Sequence, residues 1–360
     1  MNELDALLIL AQTPLLGSIK IRMLIKHFGS SLAVLDTSPT ALVEVSGIGP
    51  KLIDSLSRWK ERTLWQKDLE TAHRYGVQII PYTDPQYPKR LLNTPDFPLV
   101  LYCRGELQSK DTHSIAVVGT RNCSIYGKEM AFKISDELCR QQFTVVSGLA
   151  RGIDTAAHHG ALKSGRTIAV IACGLCRVYP EENVNLAQVI SENGAILSEY
   201  PMTTPPDKLH FPQRNRIVSG MTQGSLLIEA PRKSGAMITM NKAKQQGRPT
   251  FALPGRADHM NFQGNHQLIK EGSAQLIENG EDIASHFDQL FSFAKPATKV
   301  QVQLPAEEKN FFDLLPEEEL TIDEIARLSE TPIAKVNVML MTLLLKKKIR
   351  EYPGKIYKKI

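Results

Sequence analysis

The chain has 360 residues, 42% of them hydrophobic and 22% charged, with a formal net charge of +5. That is the composition of a globular chain of roughly two or three domains, and it argues against disorder, a collagen or a coiled coil. No apolar run reaches the ~18–20 residues of a membrane span. The opening MNELDALLILAQTP lacks the basic flank of an export signal. The five scattered cysteines suit a reducing cytoplasm rather than a disulfide framework.

The first ~75 residues read as helices. Leu4, Leu7, Leu8 and Ala11 keep helical spacing up to Pro14, and Ile21, Leu24, Ile25 and Phe28 repeat it before Gly29. Ser46-Gly47-Ile48-Gly49-Pro50-Lys51 then resembles a helix-hairpin-helix turn, with another helical stretch through Trp59. Charge in 1–76 is nearly balanced, nine Lys/Arg against eight Asp/Glu, so packing and DNA contact both stay open there. Tyr82–Pro98 is rich in proline and reads as an ordered connector.

From Ser114 short β-branched runs alternate with helical stretches such as 127–141 and 154–164. The runs are Ser114–Gly119, Phe143–Gly148, Thr167–Cys173, Ala195–Ser198, Ser225–Glu229 and Thr250–Leu253. Continuous apolar strands separated by helices predict a doubly wound, mostly parallel α/β sheet. Phe291–Gln303 reads as a linker. Beyond it, three helices (Asn310–Leu315, Thr321–Leu328, Ile333–Lys346) and a hairpin turning at Pro353-Gly354 outline a winged helix. Val336, Val338, Met339 and the leucines make the third helix mostly core-facing, with only Lys346–Lys348 basic. The expected domains are 1–76, 77–290 and 305–360, with a linker at 291–304.

Charge is unevenly spread. Residues 201–270 carry ten Lys/Arg against three Asp/Glu, 346–360 seven against one, and 305–330 two against nine. Such basic blocks fit an anionic partner, nucleic acid foremost, although many cationic faces are merely solvated.

The strand ends carry the chemistry. SIAVVGTR ends in Gly119-Thr120-Arg121, and SGLARGID places Ser147, Gly148, Arg151 and Gly152 at the next strand end, with Asp154 as a helix cap. Two arginines at neighbouring strand ends suit a polyanion. Neither a GxGxxG fingerprint nor a GxxxxGK[ST] loop occurs, so a nicotinamide enzyme or an ATPase is not indicated. His158-His159 point to different helix faces and make a poor metal pair. Cys173-Gly-Leu-Cys176 lacks the second ligand pair of a zinc site. HFPQRNR (His210–Arg216) combines a ring, two arginines and an amide, the mixture that holds single strands. One of the two arginines is expected to be structural, paired with Glu199 or Glu229. Ser234-Gly235 opens another amide-rich anion site beside Arg232 and Lys233.

These motifs, together with YPKRLL, PLVLYCRG, GLCRVYP, SEYP, SGAMIT, ALPG and GNHQLIKEG, strongly resemble the DNA-processing protein A family (DprA, also called Smf) over about Tyr87–Ile283. The resemblance implies an extended Rossmann-type domain between a helical, SAM- or helix-hairpin-helix-like N-terminal domain and a winged-helix-like C-terminal domain. It also implies a binding protein without catalytic residues, cofactor or metal. Such a protein holds single-stranded DNA, helps load the RecA recombinase during natural transformation, forms a homodimer and works in the cytoplasm without a membrane. By motif, Gly119, Thr120, Arg121, Ser147, Gly148, Arg151, Gly152, Lys208, Phe211, Arg214, Asn215 and Lys233 are the expected DNA contacts. His266, Ile269 and Leu276 are the expected dimer surface. Cys176 stands where an acidic residue is usual in the family, which counts against a shared CxxC function.

The competing reading is a nucleotide phosphoribohydrolase-like enzyme using Glu229 and Arg214. Ser-Gly-Ala-Met replaces the Gly-Gly-x-Gly-Thr loop such an enzyme needs. A third reading, a transcription factor built on the C-terminal domain, predicts preference for duplex DNA.

Overall fold

The computed structural model describes residues 1–61, 64–291, 305–316, 320–346, 348–352 and 355–359. The chain divides into two compact units, Met1–Phe293 and Ala294–Ile360. The linker read at 291–304, Lys347 and the Pro353-Gly354 turn lie almost wholly outside the described residues.

The first unit begins with six helices: α1 (Glu3–Ala11), α2 (Ser18–Phe28), α3 (Ser31–Asp36), α4 (Pro39–Val43), α5 (Pro50–Ser57) and α6 (Leu64–Arg74). A capping box between Asn2 and Asp5 starts α1. Gly47, at φ +83, makes the turn between α4 and α5 that a side chain would strain. Buried Asp68 of α6 accepts hydrogen bonds from the Tyr102 hydroxyl, from Gln12 Nε2 (3.3 Å) and from the Met202 amide (2.7 Å). Burial pushes this carboxyl up, and the Tyr102 and Met202 donors pull it back. The helices share one apolar core with the sheet that follows.

That sheet has nine strands: β1 (Gln78–Pro81), β2 (Val100–Gly105), β3 (Ser114–Val118), β4 (Thr144–Ser147), β5 (Thr167–Val170), β6 (Ala195–Ser198), β7 (Gly224–Leu227), β8 (Thr250–Ala252) and β9 (Gln275–Leu276). Their order is β1-β2-β6-β5-β4-β3-β7-β8-β9. The six runs read from the sequence form the parallel centre, β6 to β8. Sequence reading did not assign β1 and β2, which extend one edge antiparallel, or β9 at the other edge.

The helices α7 (Ile125–Arg140), α8 (Ile153–Ser164), α9 (Val184–Asn193), α10 (His210–Gly220), α11 (Gly235–Gln245), α12 (Gln263–Lys270) and α13 (Gly280–Phe291) cover the sheet. Strand β3 shows why both faces must be covered. Ile115 and Val117 enter one core with Ile134 and Leu138 of α7 and Ile153 of α8. Ala116 and Val118 enter the opposite core with Ile217 of α10 and Met240 of α11. Each large side chain so buried contributes about 1.5–3 kcal/mol. The chain steps from β3 through β4 and β5 to β6, then returns to β7 on the other side of β3. The reversal falls between β3 and β7, and in an open α/β sheet the carboxyl ends at such a point border a ligand crevice.

The second unit contains α14 (Ala306–Leu314), α15 (Ile322–Leu328), α16 (Ile333–Leu345) and a small sheet of β10 (Leu320–Thr321), β12 (Ile356–Lys359) and β11 (Ile349–Tyr352), in that order. Phe311, Ile325, Val336, Leu340, Leu343, Ile349 and Tyr357 form its core. This is a winged-helix arrangement. One expectation fails: Val338 does not face the core but is 66% exposed, as is Met341 at 63%, because only every third or fourth residue of α16 can face inward.

Among the described residues no helix is long and apolar enough to cross a membrane.

Candidate functional site

At the crevice between β3 and β7 lies a cavity of about 310 Å³. Four segments build it: Val118–Asn122 after β3, Gly148–Asp154 after β4, Phe211–Val218 on α10, and Pro231–Thr239 leading into α11. Of the residues singled out from sequence, Gly119, Thr120, Arg121, Gly148, Phe211, Arg214, Asn215 and Lys233 line it together.

Arg121 and Lys233 are its exposed cations. The Arg121 guanidinium sits over the Phe211 ring, 4.8 Å from the centroid, a cation–π arrangement. Phe211 in turn meets Tyr179 edge-on at 6.0 Å. Across the cavity, Ser234 caps α11 by accepting from the Met237 amide (3.3 Å), which leaves the first turn beside it at the positive end of an eleven-residue helix. Asn215 Nδ2 donates to the Gly235 carbonyl (3.2 Å) and ties α10 to that turn.

Arg214 is only 4% exposed. Its Nη1 donates to the carbonyls of Gly148 (2.5 Å) and Val170. A Cβ on residue 148 would fall within 2.2–2.5 Å of that guanidinium, so the glycine makes room for Arg214 rather than for a ligand. Buried Asp154 accepts from the amides of Gly148 (3.1 Å) and Ala150 (3.4 Å). Burial pushes the Asp154 carboxyl up and the Arg214 guanidinium down, and each charge opposes the other's shift. Arg214 thus braces the loop after β4 while presenting one side to the cavity. Arg216 is also buried, paired with Glu199 and lying 3.7 Å from Asp96. The expectation that one of these two arginines is structural holds for Arg216, which pairs with Glu199, and Arg214 is held internally as well, because α10 lies over the strand ends and turns both inward.

Other expected contacts lie off this cavity. Ser147 is fully buried and donates to the Val117 carbonyl (2.7 Å). Gly152, at φ +76, supports the site from behind: a Cβ there would come within 2.5 Å of the Thr120 and Arg121 carbonyls. Lys208 is exposed outside the cavity. Arg151 lines a small adjoining space of about 20 Å³ with Arg121, Gly148, Tyr179 and Phe211, and it pairs with Glu182. Residues 121, 151 and 214 therefore meet around one place, the Arg121–Phe211 pair.

Glu229 does not line the cavity. Its buried carboxylate accepts from the Ser124 amide (3.0 Å), the Ser124 hydroxyl (2.6 Å) and Asn261 Nδ2 (2.8 Å), fastening β7 to the start of α7. These donors give it a structural role. Cys173 and Cys176 are free thiols. Burial pushes the Cys173 thiol up to about 11, opposite to what redox chemistry requires. His158 is buried with Nδ1 2.7 Å from the Thr167 hydroxyl, a packing role.

For the dimer surface, His266 Nε2 lies 3.0 Å from the Gly255 carbonyl, Ile269 is half-buried, and Leu276 is 46% exposed on edge strand β9. Sequence reasoning missed Tyr179, Thr239 and Ile238 as cavity neighbours. The aromatic before Pro180 and the SGAMIT run were the available signals.

Comparison with known proteins agrees with this fold. The family model "DNA recombination-mediator protein A" matches residues 78–288, and the model "DprA winged helix domain" matches 295–355. Protein Smf of Synechocystis is 36% identical over 274 residues, covering 75% of this chain and 69% of that protein. DNA processing protein DprA of Bacillus subtilis is 40% identical over 250 residues, covering 69% and 78%. The crystal structure of DprA from Streptococcus pneumoniae superposes with a TM-score of 0.68 at 32% identity, covering 79% of this chain and 97% of that one. DNA processing protein A of Helicobacter pylori, whose structure concerns its single-stranded DNA binding mode, superposes with a TM-score of 0.54 at 32% identity, covering 59% and 96%. With a family model spanning more than half of its residues and relatives of this identity and coverage, the chain belongs to the DNA recombination-mediator protein A family, the DprA/Smf proteins.

Proposed function

We propose that this protein binds single-stranded DNA across the carboxyl edge of its central sheet and acts, without catalytic turnover, as a mediator that helps load RecA onto strands entering recombination or natural transformation. The observation that carries the reading is the Arg121–Phe211 pair in a cavity that also holds Lys233 and the amino end of α11. Cations and helix-end amides suit phosphate, and the half-buried Phe211 ring suits stacking by a base. A duplex hides its base faces, so this mixture favours unpaired strands. The family supports the same reading.

In this scheme segment 77–290 carries the strand, 1–76 is an accessory module that shares its core, and 305–360 is an accessory module that follows the linker. A homodimer forms through the face bearing His266, Ile269 and Leu276, and the protein works in the cytoplasm.

The deciding experiment is a binding titration with single- and double-stranded oligonucleotides of one sequence at several salt concentrations. Tighter single-strand binding that weakens steeply with salt is expected. Equal or stronger binding to duplex would overturn the proposal and favour a duplex reader. Loading is read separately, as a shorter lag in RecA filament growth on single strands already coated by a single-strand-binding protein. An unchanged lag would remove that part of the proposal.

A further inference from the structure

Arg151 is not free. Its Nε and Nη2 each lie 2.7 Å from an oxygen of Glu182, a two-pronged pair with both side chains 54% exposed. The pairing is built into the backbone. Glu182 sits on the short turn Glu181–Asn183, and buried Asn183 donates from Nδ2 to the Leu149 carbonyl (2.9 Å) and to the Thr155 hydroxyl (2.8 Å). Leu149 lies on the loop after β4 and Thr155 in the first turn of α8, so the two acceptors bracket Arg151 along the chain. The turn bearing the acid and the loop bearing the base are therefore one mounted piece, not two mobile side chains that happen to meet.

A carboxylate gripping both prongs of a guanidinium uses the geometry with which two phosphate oxygens are gripped. Arg151 also faces the small space it shares with Arg121 and Phe211, beside the proposed path of the strand. An exposed pair of this kind is weak and exchangeable.

We infer that Glu182 occupies the phosphate position of Arg151 and competes within the molecule against the incoming strand. When DNA binds, a backbone phosphate takes over the Arg151 fork and the carboxylate is released to water. The competitor limits affinity and makes it less sensitive to salt, since part of the charge gained by the strand is lost to Glu182. The neighbouring groups are Glu181, which adds negative charge on the same turn, and Arg121, which has no acidic partner among the described residues. This inference rests on the proposed binding of single-stranded DNA.

The test uses the full chain and a fluorescent oligothymidylate, with anisotropy read at several salt concentrations for wild type, Glu182→Gln, Arg151→Ala and the double variant. Thermal melts confirm that all fold, as expected for an exposed pair. Glu182→Gln should bind roughly two- to five-fold tighter, with a salt slope steeper by about 0.7. The gain should be larger with Arg151 present than in the Arg151→Ala background, the excess being the contact only a liberated guanidinium makes. Weaker or unchanged binding by Glu182→Gln would mean that the acid merely holds Arg151 in place or is inert, and overturns the inference. Equal gains in both backgrounds would mean a general field effect and overturn it too. A wild-type chain that binds no strand sinks the binding reading itself, whereas one that binds while Glu182→Gln behaves as wild type sinks this inference alone.

Discussion

The guanidinium of Arg121 rests 4.8 Å from the centre of the Phe211 ring, bringing the end of β3 and the start of α10 into one surface. Cation and ring hold each other in place, so their contributions to binding are coupled. Arg121→Ala should weaken single-strand binding about tenfold or more, the loss expected for one charged hydrogen bond to phosphate, and should flatten the salt slope by about 0.7. Phe211→Ala should cost about 1–3 kcal/mol through lost stacking. The double variant should lose less than the sum. Anisotropy titrations arranged as a double-mutant cycle check this, and strict additivity would show that the two act separately.

Arg214 should behave differently from Arg121. Its removal strips Asp154 of the positive charge near it and leaves the Gly148 and Val170 carbonyls without their donor. Arg214→Ala should therefore destabilise the fold by on the order of 3–5 kcal/mol, the usual cost of leaving a buried charge uncompensated. Urea unfolding measures it. Arg121→Ala, at an exposed position, should leave the same midpoint nearly unmoved.

The pH dependence of stability should carry the mark of His158. Burial, helped by the charges of His159 and Arg214, pulls this imidazole down to about 3 from its ordinary value near 6.5. A group whose folded value is depressed stabilises above the unfolded value, and that stability drains as pH falls toward the folded one. Between about pH 6 and pH 4 the chain should lose about 1.4 kcal/mol per pH unit on this account. His158→Gln keeps a partner for Thr167 but cannot titrate, so its stability should change less over the same range. Denaturation curves at several pH values give the slopes, and parallel slopes would show that His158 is not the group responsible.

Leu276 offers the sharpest test of self-association. It is 46% exposed on β9, the last strand of the sheet, whose outer edge pairs with no other strand among the described residues. Leu276→Glu places a charge on the proposed dimer face without touching the core. Light scattering should show a shift from dimer to monomer. A wild-type chain that is monomeric at high concentration would remove the dimer from the proposal.

Much of the molecule was written in local pattern. The six central strands are apolar on both sides because a doubly covered parallel sheet needs them so, and that period is legible in Ser114–Val118 without any structure. The meeting of Arg121 with Phe211 was foreseeable in kind, since one lies in a motif that marks a strand end and the other in the ring-and-arginine segment of α10. Tertiary structure alone decided the rest. Strands β1 and β2 flank the Pro-rich passage and are strands because they pair with each other and β2 pairs with β6, a partner far away in the chain. Sequence alone marks one of Arg214 and Arg216 as structural without saying which, and the fold buries both. Their burial follows from α10 lying across the strand ends, where carbonyls and Glu199 take up their donors. The pairing of Arg151 with Glu182 spans two separate loops and is fixed through Asn183. Composition and periodicity determine which elements form, because those depend on neighbours along the chain. Which cation is left to meet a ligand depends on what the fold sets beside it, and no local pattern records that.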